Sequence, residues 1–428
     1  MTKSRISEDW MAVWIGGVLI AVVLLGLRFG APRFAWADGA ALSGTVLGGP
    51  NLRATLLLGL LILVPSAVGA RAMGVRVAPF VAGFPIVYAL GVLSQIAAGS
   101  SAIAGLGLEY VLFALLFGLI LGQTTNLRER FREAVQAEYF IKIGLVVLGT
   151  SVIFGELVSA GLLGITQAVV VVFTVWFFCY WLCKKLRVDD EFSALLSSAV
   201  AICGVSAAIA ACGAIQGDRR KLSYVSSLVL VVAVPMMVVM PWITRAAGMP
   251  EAVAGAWLGG TLDTSAAVVA AGELVSEAAR NAAVVVKLSQ NVLIGVAAFL
   301  LTIWWAMKQD PGKASNTKES NTSASVIWER FPKFVLGFIV VSFVFSFALP
   351  GTLVAESRGL LNGIRTAWFA MAFVCIGLET SIGELASTGE GRPAMAFLGG
   401  QAFNIVVTLV LAYLLFGGIL FPAPQFGG

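Results

Sequence analysis

Long apolar runs separated by short polar loops dominate this chain, and their lengths predict helices that cross a bilayer. A helix rises 1.5 Å per residue, so the hydrocarbon layer takes about 20 consecutive apolar residues. On that ruler eleven segments qualify, near residues 10–27, 54–70, 78–98, 104–122, 139–155, 162–183, 223–244, 282–307, 334–349, 364–382 and 398–420. Two more stretches, 192–216 and 251–279, are apolar but interrupted by small and polar residues. The first run follows the charged start MTKSRISEDW and is too long for a signal-peptide core, so it reads as a retained first span. Residues 308–333, rich in Ser, Asn and Lys, form the one long hydrophilic linker.

Basic residues orient the spans, because Lys and Arg accumulate in cytoplasmic loops. Lys3 and Arg5 place the N-terminus inside. Arg71 and Arg76, then Arg128, Arg130 and Arg132, then Lys184, Lys185 and Arg187, fall on alternate loops and agree. The loop with Arg28, Arg33 and Arg53 argues weakly against this orientation. If 192–216 crossed the membrane, Arg219, Arg220 and Lys221 would lie outside, against the charge rule. A hairpin of two short arms that dips in and returns keeps both flanking loops inside, and irregular backbone at depth is tolerated where it lines a cavity. The same treatment of 251–279 predicts a hairpin entering from the outer face. A pair of spanning broken helices is the alternative.

Internal self-similarity adds a second layer. Residues 148–157, LGTSVIFGEL, align with 376–385, IGLETSIGEL, and each motif is followed by a span that carries Gln-Ala, at Gln167 and Gln401. The interrupted stretches align too, Ser206 to Gly213 against Ser265 to Gly272. With hairpins assigned, paired elements run in opposite directions. That is an inverted repeat, the architecture of alternating access in secondary transporters. The expected organisation is therefore N-terminal spans over 1–100, a first repeat over 101–307, the cytoplasmic linker 308–333, and C-terminal spans of the second repeat over 334–428. The early spans are a candidate scaffold or homodimerisation layer.

Composition narrows the chemistry. Of 428 residues 59% are hydrophobic and 12% charged, about half the usual charged share, and mean hydropathy is +0.94. A chain this apolar belongs in lipid, so its sequence pI of 9.0 reflects basic loops and not nucleic-acid binding. There is no histidine, which excludes histidine catalysis and histidine metal ligation. Five cysteines, Cys179, Cys183, Cys203, Cys212 and Cys375, sit in apolar stretches without CxxC spacing and read as free thiols. No nucleotide phosphate loop, cofactor motif or catalytic constellation appears, so neither an enzyme nor a primary pump is expected.

The candidate site lies at the interruptions, Cys203-Gly204-Val205-Ser206 and Thr261-Leu262-Asp263-Thr264-Ser265. Each places small and hydroxyl residues ahead of an Ala-rich arm, as a helix N-cap does. Helix starts inside a membrane expose unpaired N–H groups and the positive dipole end, a cradle for an anion. Asp263, a carboxylate at membrane depth, either caps its own arm or holds a coupling proton or Na⁺. Lys287 either pairs with Asp263 or an anionic substrate, or snorkels to the interface. Gln290 and Asn291 follow as hydrogen-bonding groups, and Glu379 is a second candidate ligand for the coupling ion.

The stretches EYFIKIGLVVLGTSVIFGEL, AVAICGVSAAIAACGAI, GGTLDTSAAVVAAG, AVVVKLSQNVL and IGLETSIGEL with GRPAMAFLGG together resemble the sulfate exporter family of bacterial inner-membrane transporters. The resemblance spans roughly residues 54 to 420. It implies a secondary transporter distantly similar to the bile-acid/arsenite and Na⁺/H⁺-antiporter folds, and points to Cys203, Gly204, Ser206, Asp263 and Lys287. The chain departs from that family's pattern in having Asp263-Thr264 where a His-Glu pair is usual, Ala267 for Gln and Gln290 for Arg. Another Arg is usual near Ser151. The expectation is an all-α, multi-pass inner-membrane carrier of a small anion such as sulfate, a sulfonate or a carboxylate, coupled to H⁺ or Na⁺. The alternatives are a cation/proton antiporter using Asp263 and Glu379, and a channel or non-transporting membrane protein.

Overall fold

A computed structural model describes residues 6–27, 29–104, 109–152, 154–309, 328, 331–380, 391–424 and 426. The described chain is nearly all helical, and eight helical stretches, the interrupted Asp190–Ile215 among them, are long and apolar enough to cross a membrane. It is a polytopic membrane protein. It forms two compact units, each drawn from separated stretches: residues 1–155 with 333–381, and residues 156–332 with 382–428.

The first unit opens with α1 (Glu8–Leu24), α2 (Gly49–Met73), α3 (Val77–Ala98), α4 (Tyr110–Thr124) and α5 (Ala137–Leu148). The chain then enters the second unit through α6 (Phe154–Lys185), and continues in α7 (Asp190–Ser198), α8 (Gly204–Ile215), α9 (Arg219–Ala246), α10 (Glu251–Thr261), α11 (Ser265–Glu273) and α12 (Glu277–Gln309). It returns to the first unit for α13 (Lys333–Phe343) and α14 (Gly351–Glu379), and ends in the second with α15 (Arg392–Phe416).

Within the first unit α14 is the packed centre, bordered by α3, α4 and α5. On α5 the Lys142 ammonium pairs with Glu8 at 2.7 Å and Asp9 at 3.0 Å on α1. Arg365 on α14 is buried and donates to Ser151 Oγ at 3.2 Å. The segment expected to span 139–155 is shorter as a helix, because α5 tightens into a 3₁₀ turn at Gly149–Ser151. The last five residues of the IGLETSIGEL repeat, most of the linker, and Glu384 lie outside the described residues.

Within the second unit the interrupted stretches double back. Asp189 and Glu191, at the start of the first, both receive Lys221 Nζ from just beyond its end, at 2.7 and 2.9 Å. The Asp218 N–H also donates to Glu191 Oε1. A 26-residue apolar stretch whose two ends touch is a hairpin, although its length alone would let it span.

The second stretch is read from α12. An added Cβ at Gly255 would lie 2.4 Å from Ala279 O, and one at Gly259 2.4 Å from Ala283 O, so α10 rises parallel to α12. On the way back, a Cβ at Gly272 would lie 2.5 Å from Arg280 Cα. Gly255 and Gly272 thus flank the same turns of α12, with the tip at the level of Lys287 to Asn291. Gly255-x-x-x-Gly259 is the small-residue spacing that lets membrane helices approach closely.

The hairpins open at opposite ends of α9. The first is tied to the start of that helix by Lys221, and the second begins directly after its end, at Glu251. α9 has 28 residues, roughly 42 Å of helix, enough to cross a bilayer.

Candidate functional site

The hairpin tips meet within the second unit. In the first, α7 widens into a π-helical turn at Ala199–Cys203 before the backbone reverses at Gly204, with φ 36° and ψ −113°. This positive φ favours glycine, and the position is also crowded. An added Cβ would lie 2.5 Å from Val229 Cγ1 and 3.1 Å from Asp263 O of the other tip. In the second, α10 stops at Thr261 and α11 starts at Ser265, leaving Leu262, Asp263 and Thr264 as the linking backbone.

A helix that ends inside a membrane leaves carbonyl groups without partners. Here buried side chains from α12 and α15 answer them, and most answer both tips at once. Lys287 Nζ donates to Ile202 O at 2.6 Å, to Leu262 O at 2.8 Å and to Gln290 Oε1 at 2.9 Å. Gln290 Nε2 donates to Ala201 O at 2.8 Å and, more loosely, to Gly260 O at 3.4 Å. From α15, Gln401 Nε2 reaches Thr261 O at 2.9 Å, and Asn404 Nδ2 reaches Val200 O and Thr261 O at 3.3 Å each. The alignment that sets Ser206 on Ser265 also sets Ala201 on Gly260, the same two carbonyls that Gln290 joins.

Lys287 therefore neither snorkels nor pairs directly with Asp263. It is 2% exposed, and the three donors of its ammonium are committed to two carbonyls and an amide. Asp263, also 2% exposed, does not cap its own arm, because Thr264 Oγ1 takes that role by accepting from Ala267 N at 3.1 Å. Asp263 Oδ2 has no hydrogen-bonding partner among the described residues. Ser265 Oγ accepts from Asn291 Nδ2 at 3.1 Å, which fastens α11 to α12.

The first tip differs in one respect. Cys203 precedes α8 with no side-chain cap on the N–H groups of its first turn, where Val205 is half-buried and Ser206 exposed. Thr261, Asp263, Lys287, Gln290 and Asn291 are thus brought together as a buried cluster, and Gly204 abuts Asp263. Glu379, by contrast, ends α14 in the first unit. Sequence reasoning marks Gln401 only as part of a repeated span, and misses Asn404. Their signal is nonetheless in the chain: Gln401, Asn404 and Thr408 recur on one face of an otherwise apolar helix.

The hairpin bases are closed by charge. At the second, Arg280 is 1% exposed and bonds Glu273 at 2.9 Å and Glu277 at 2.8 Å. At the first, burial pushes the Asp189 carboxyl up, but the Lys221 ammonium and the Phe192 N–H outweigh this and hold it below the usual carboxylate range.

Residues 82–396 match the family described as Conserved hypothetical protein 698. A UPF0324 membrane protein of Rhodopirellula baltica is 37% identical over 84% of this chain and 68% of its own length. The chain belongs to the UPF0324 membrane protein family. A member from Nitratidesulfovibrio vulgaris is 35% identical over 83% of the chain and 62% of its own length. The inner membrane protein YeiH of Escherichia coli K12 is 28% identical over 73% of the chain and 89% of its own length. The matched region thus spans about two thirds of the first two relatives. With its apolar helices and such relatives, the protein is a multi-pass inner-membrane protein. No solved structure matches this chain.

Proposed function

We propose that this protein is a secondary carrier of a small anion, of the sulfate, sulfonate or carboxylate class, coupled to H⁺ or Na⁺ and without a catalytic step. The observation that carries this reading is the buried Lys287, bonded to both hairpin tips with Asp263 beside them. A cationic and an anionic group at membrane depth are costly to keep unless they serve a pathway.

The coupling follows from charge. With Asp263 ionised, the cluster is close to neutral and attracts an anion weakly. When a coupling cation neutralises Asp263, the charge on Lys287 is left uncompensated and favours an anion nearby. The uncapped first turn of α8, with Ser206 exposed on it, supplies N–H donors for that anion. Two hairpins entering from opposite ends of α9 support alternating access, since interrupted elements meeting from both faces are the architecture of such carriers. The hydrogen bonds joining the tips make them move as one body.

Reconstituted vesicles test this. Labelled sulfate, sulfonates and dicarboxylates should enter saturably and only with a pH or Na⁺ gradient, and Lys287→Met should abolish entry. The unpartnered Asp263 carboxylate favours one second reading, a cation/proton antiporter with Asp263, and Glu379 of the first unit, as ion ligands. Anion-independent cation/H⁺ exchange that Asp263→Asn abolishes would establish that reading and sink the anion carrier.

A further inference from the structure

The tip of the second hairpin holds three buried polar groups that find no hydrogen-bonding partner among the described residues. They are the side-chain oxygens Asp263 Oδ2, Thr261 Oγ1 and Gln401 Oε1. Their residues are 2%, 1% and 2% exposed, so bulk water does not reach them. They are neighbours. Gln401 Nε2 bonds the Thr261 carbonyl at 2.9 Å, and the same amide lies beside the Asp263 carboxylate. That bond also fixes the amide's orientation, because only a donor can face a carbonyl, so the oxygen is the free end.

Three candidates could answer such a shortfall. A water molecule satisfies acceptors but leaves the buried carboxylate without a counter-charge in contact, because the ammonium of Lys287 is bonded elsewhere. A proton on Asp263 Oδ2, with the Thr261 hydroxyl donating in turn, can chain all three oxygens together, so protonation is the rival that a comparison of salts at one pH separates from a bound cation. A hard cation takes several oxygen ligands at once and sets a positive charge in contact with the carboxylate. One carboxylate among neutral oxygens matches a single positive charge. No group of three or more acidic, Cys or His side chains suited to a divalent ion exists among the described residues.

We infer that Asp263, Thr261 and Gln401 form a binding site for one monovalent alkali cation at the tip of the second hairpin. The site deepens the transport reading by naming the class of the coupling ion. It rests on that reading for its role, though not for its existence. A Thr261 hydroxyl and a Gln401 amide oxygen are neutral ligands that lower the cost of dehydrating the ion, and Asp263 provides the charge. Gly204 of the other tip packs against the Asp263 backbone, so occupancy here is felt where the α8 turn begins.

Purified full-length protein in detergent tests the site without any transport. Its thermal unfolding is followed in NaCl, KCl and choline chloride at one ionic strength and one pH. Saturable stabilisation by NaCl or KCl over choline chloride is expected. Thr261→Val and Gln401→Leu should raise the salt concentration for half-effect by roughly tenfold or more, Thr261→Ser should retain the wild-type response, and Asp263→Asn should lose it. Should Asp263→Asn fail to fold, the Thr261→Val and Thr261→Ser pair decides alone. Equal curves in all three salts, or an alkali-ion effect untouched by Thr261→Val, would overturn the site. Uptake separates it from the transport reading. Cation binding without any anion flux leaves the site standing and removes the carrier. Saturable anion flux driven by a pH gradient and indifferent to alkali ions does the reverse.

Discussion

Replacing Lys287 by Met probes the junction of the two hairpins while nearly preserving side-chain volume. The change removes donors from Ile202 O, Leu262 O and Gln290 Oε1, all buried. Hydrogen bonds to a charged group contribute about 1.5–3 kcal/mol each, so three set an upper bound near ~9 kcal/mol. Against this, the variant no longer desolvates an ammonium, a term of several kcal/mol. The net expectation is destabilisation by about 2–4 kcal/mol, measurable as reversible unfolding in mixed detergent micelles. The sharper test is a double-mutant cycle with Asp263→Asn. If the two charges compensate one another, removing both costs less than the sum of the single losses, by about 0.5–3 kcal/mol. Single losses that add to within about 0.5 kcal/mol would refute the idea that Lys287 balances Asp263. It would then serve only to tie carbonyls.

Gly204→Ala should destabilise by about 1–3 kcal/mol, because the backbone is held at positive φ and the new methyl meets Val229. Adding Val229→Ala should recover only the steric part, so full recovery in the same unfolding assay would contradict the backbone argument. Gly259→Val should separate α10 from α12, since even a Cβ would lie 2.4 Å from Ala283 O, and the folded yield in detergent should collapse. Single cysteines at Arg187 and Asp218, in a background without the native thiols, should react with an impermeant reagent from the same side of the membrane. A cysteine at Met249 should react only from the other side, and labelling of all three from one side would rule out hairpins at opposite ends of α9. Lowering pH through the depressed pKa of Asp189 should remove the stability its ionised form contributes at the first hairpin base. That contribution is fully present above the unfolded carboxyl value of about 3.9 and is lost as pH falls below it. The pair is half-exposed, so the loss should stay under about 1 kcal/mol and should shrink in Lys221→Met to what the Phe192 N–H contributes.

Much of the site is legible in the amino-acid sequence. Asp263, Lys287, Gln290 and Asn291 are polar residues in apolar runs, and burying them in lipid demands partners. The charge rule applied to Arg219 to Lys221 also predicts that residues 192–216 return to the side they left. Gln401 and Asn404 are harder to read, since a lone amide in a span hydrogen-bonds a neighbouring helix as often as it marks a site. Taking Asp263 as its own helix cap misplaces the cap by one residue. Asx and hydroxyl side chains cap equally well, and only the backbone shows that Thr264 takes the role.

The sequence by itself determined the solvent, the helical class and the two interruptions. Those follow from hydrophobic run length, the scarcity of charge and the placement of small residues, which are local properties. Tertiary structure alone decided that Lys287 and Gln290 bond carbonyls of both tips, that Gly204 abuts Asp263, and that three buried oxygens at one tip have no partner among the described residues. Such facts join α12 and α15 to backbone some 25 to 204 residues away in the chain. Distances of that kind are set by packing, because unpaired helix ends in a membrane take whatever donors neighbouring helices bring within reach.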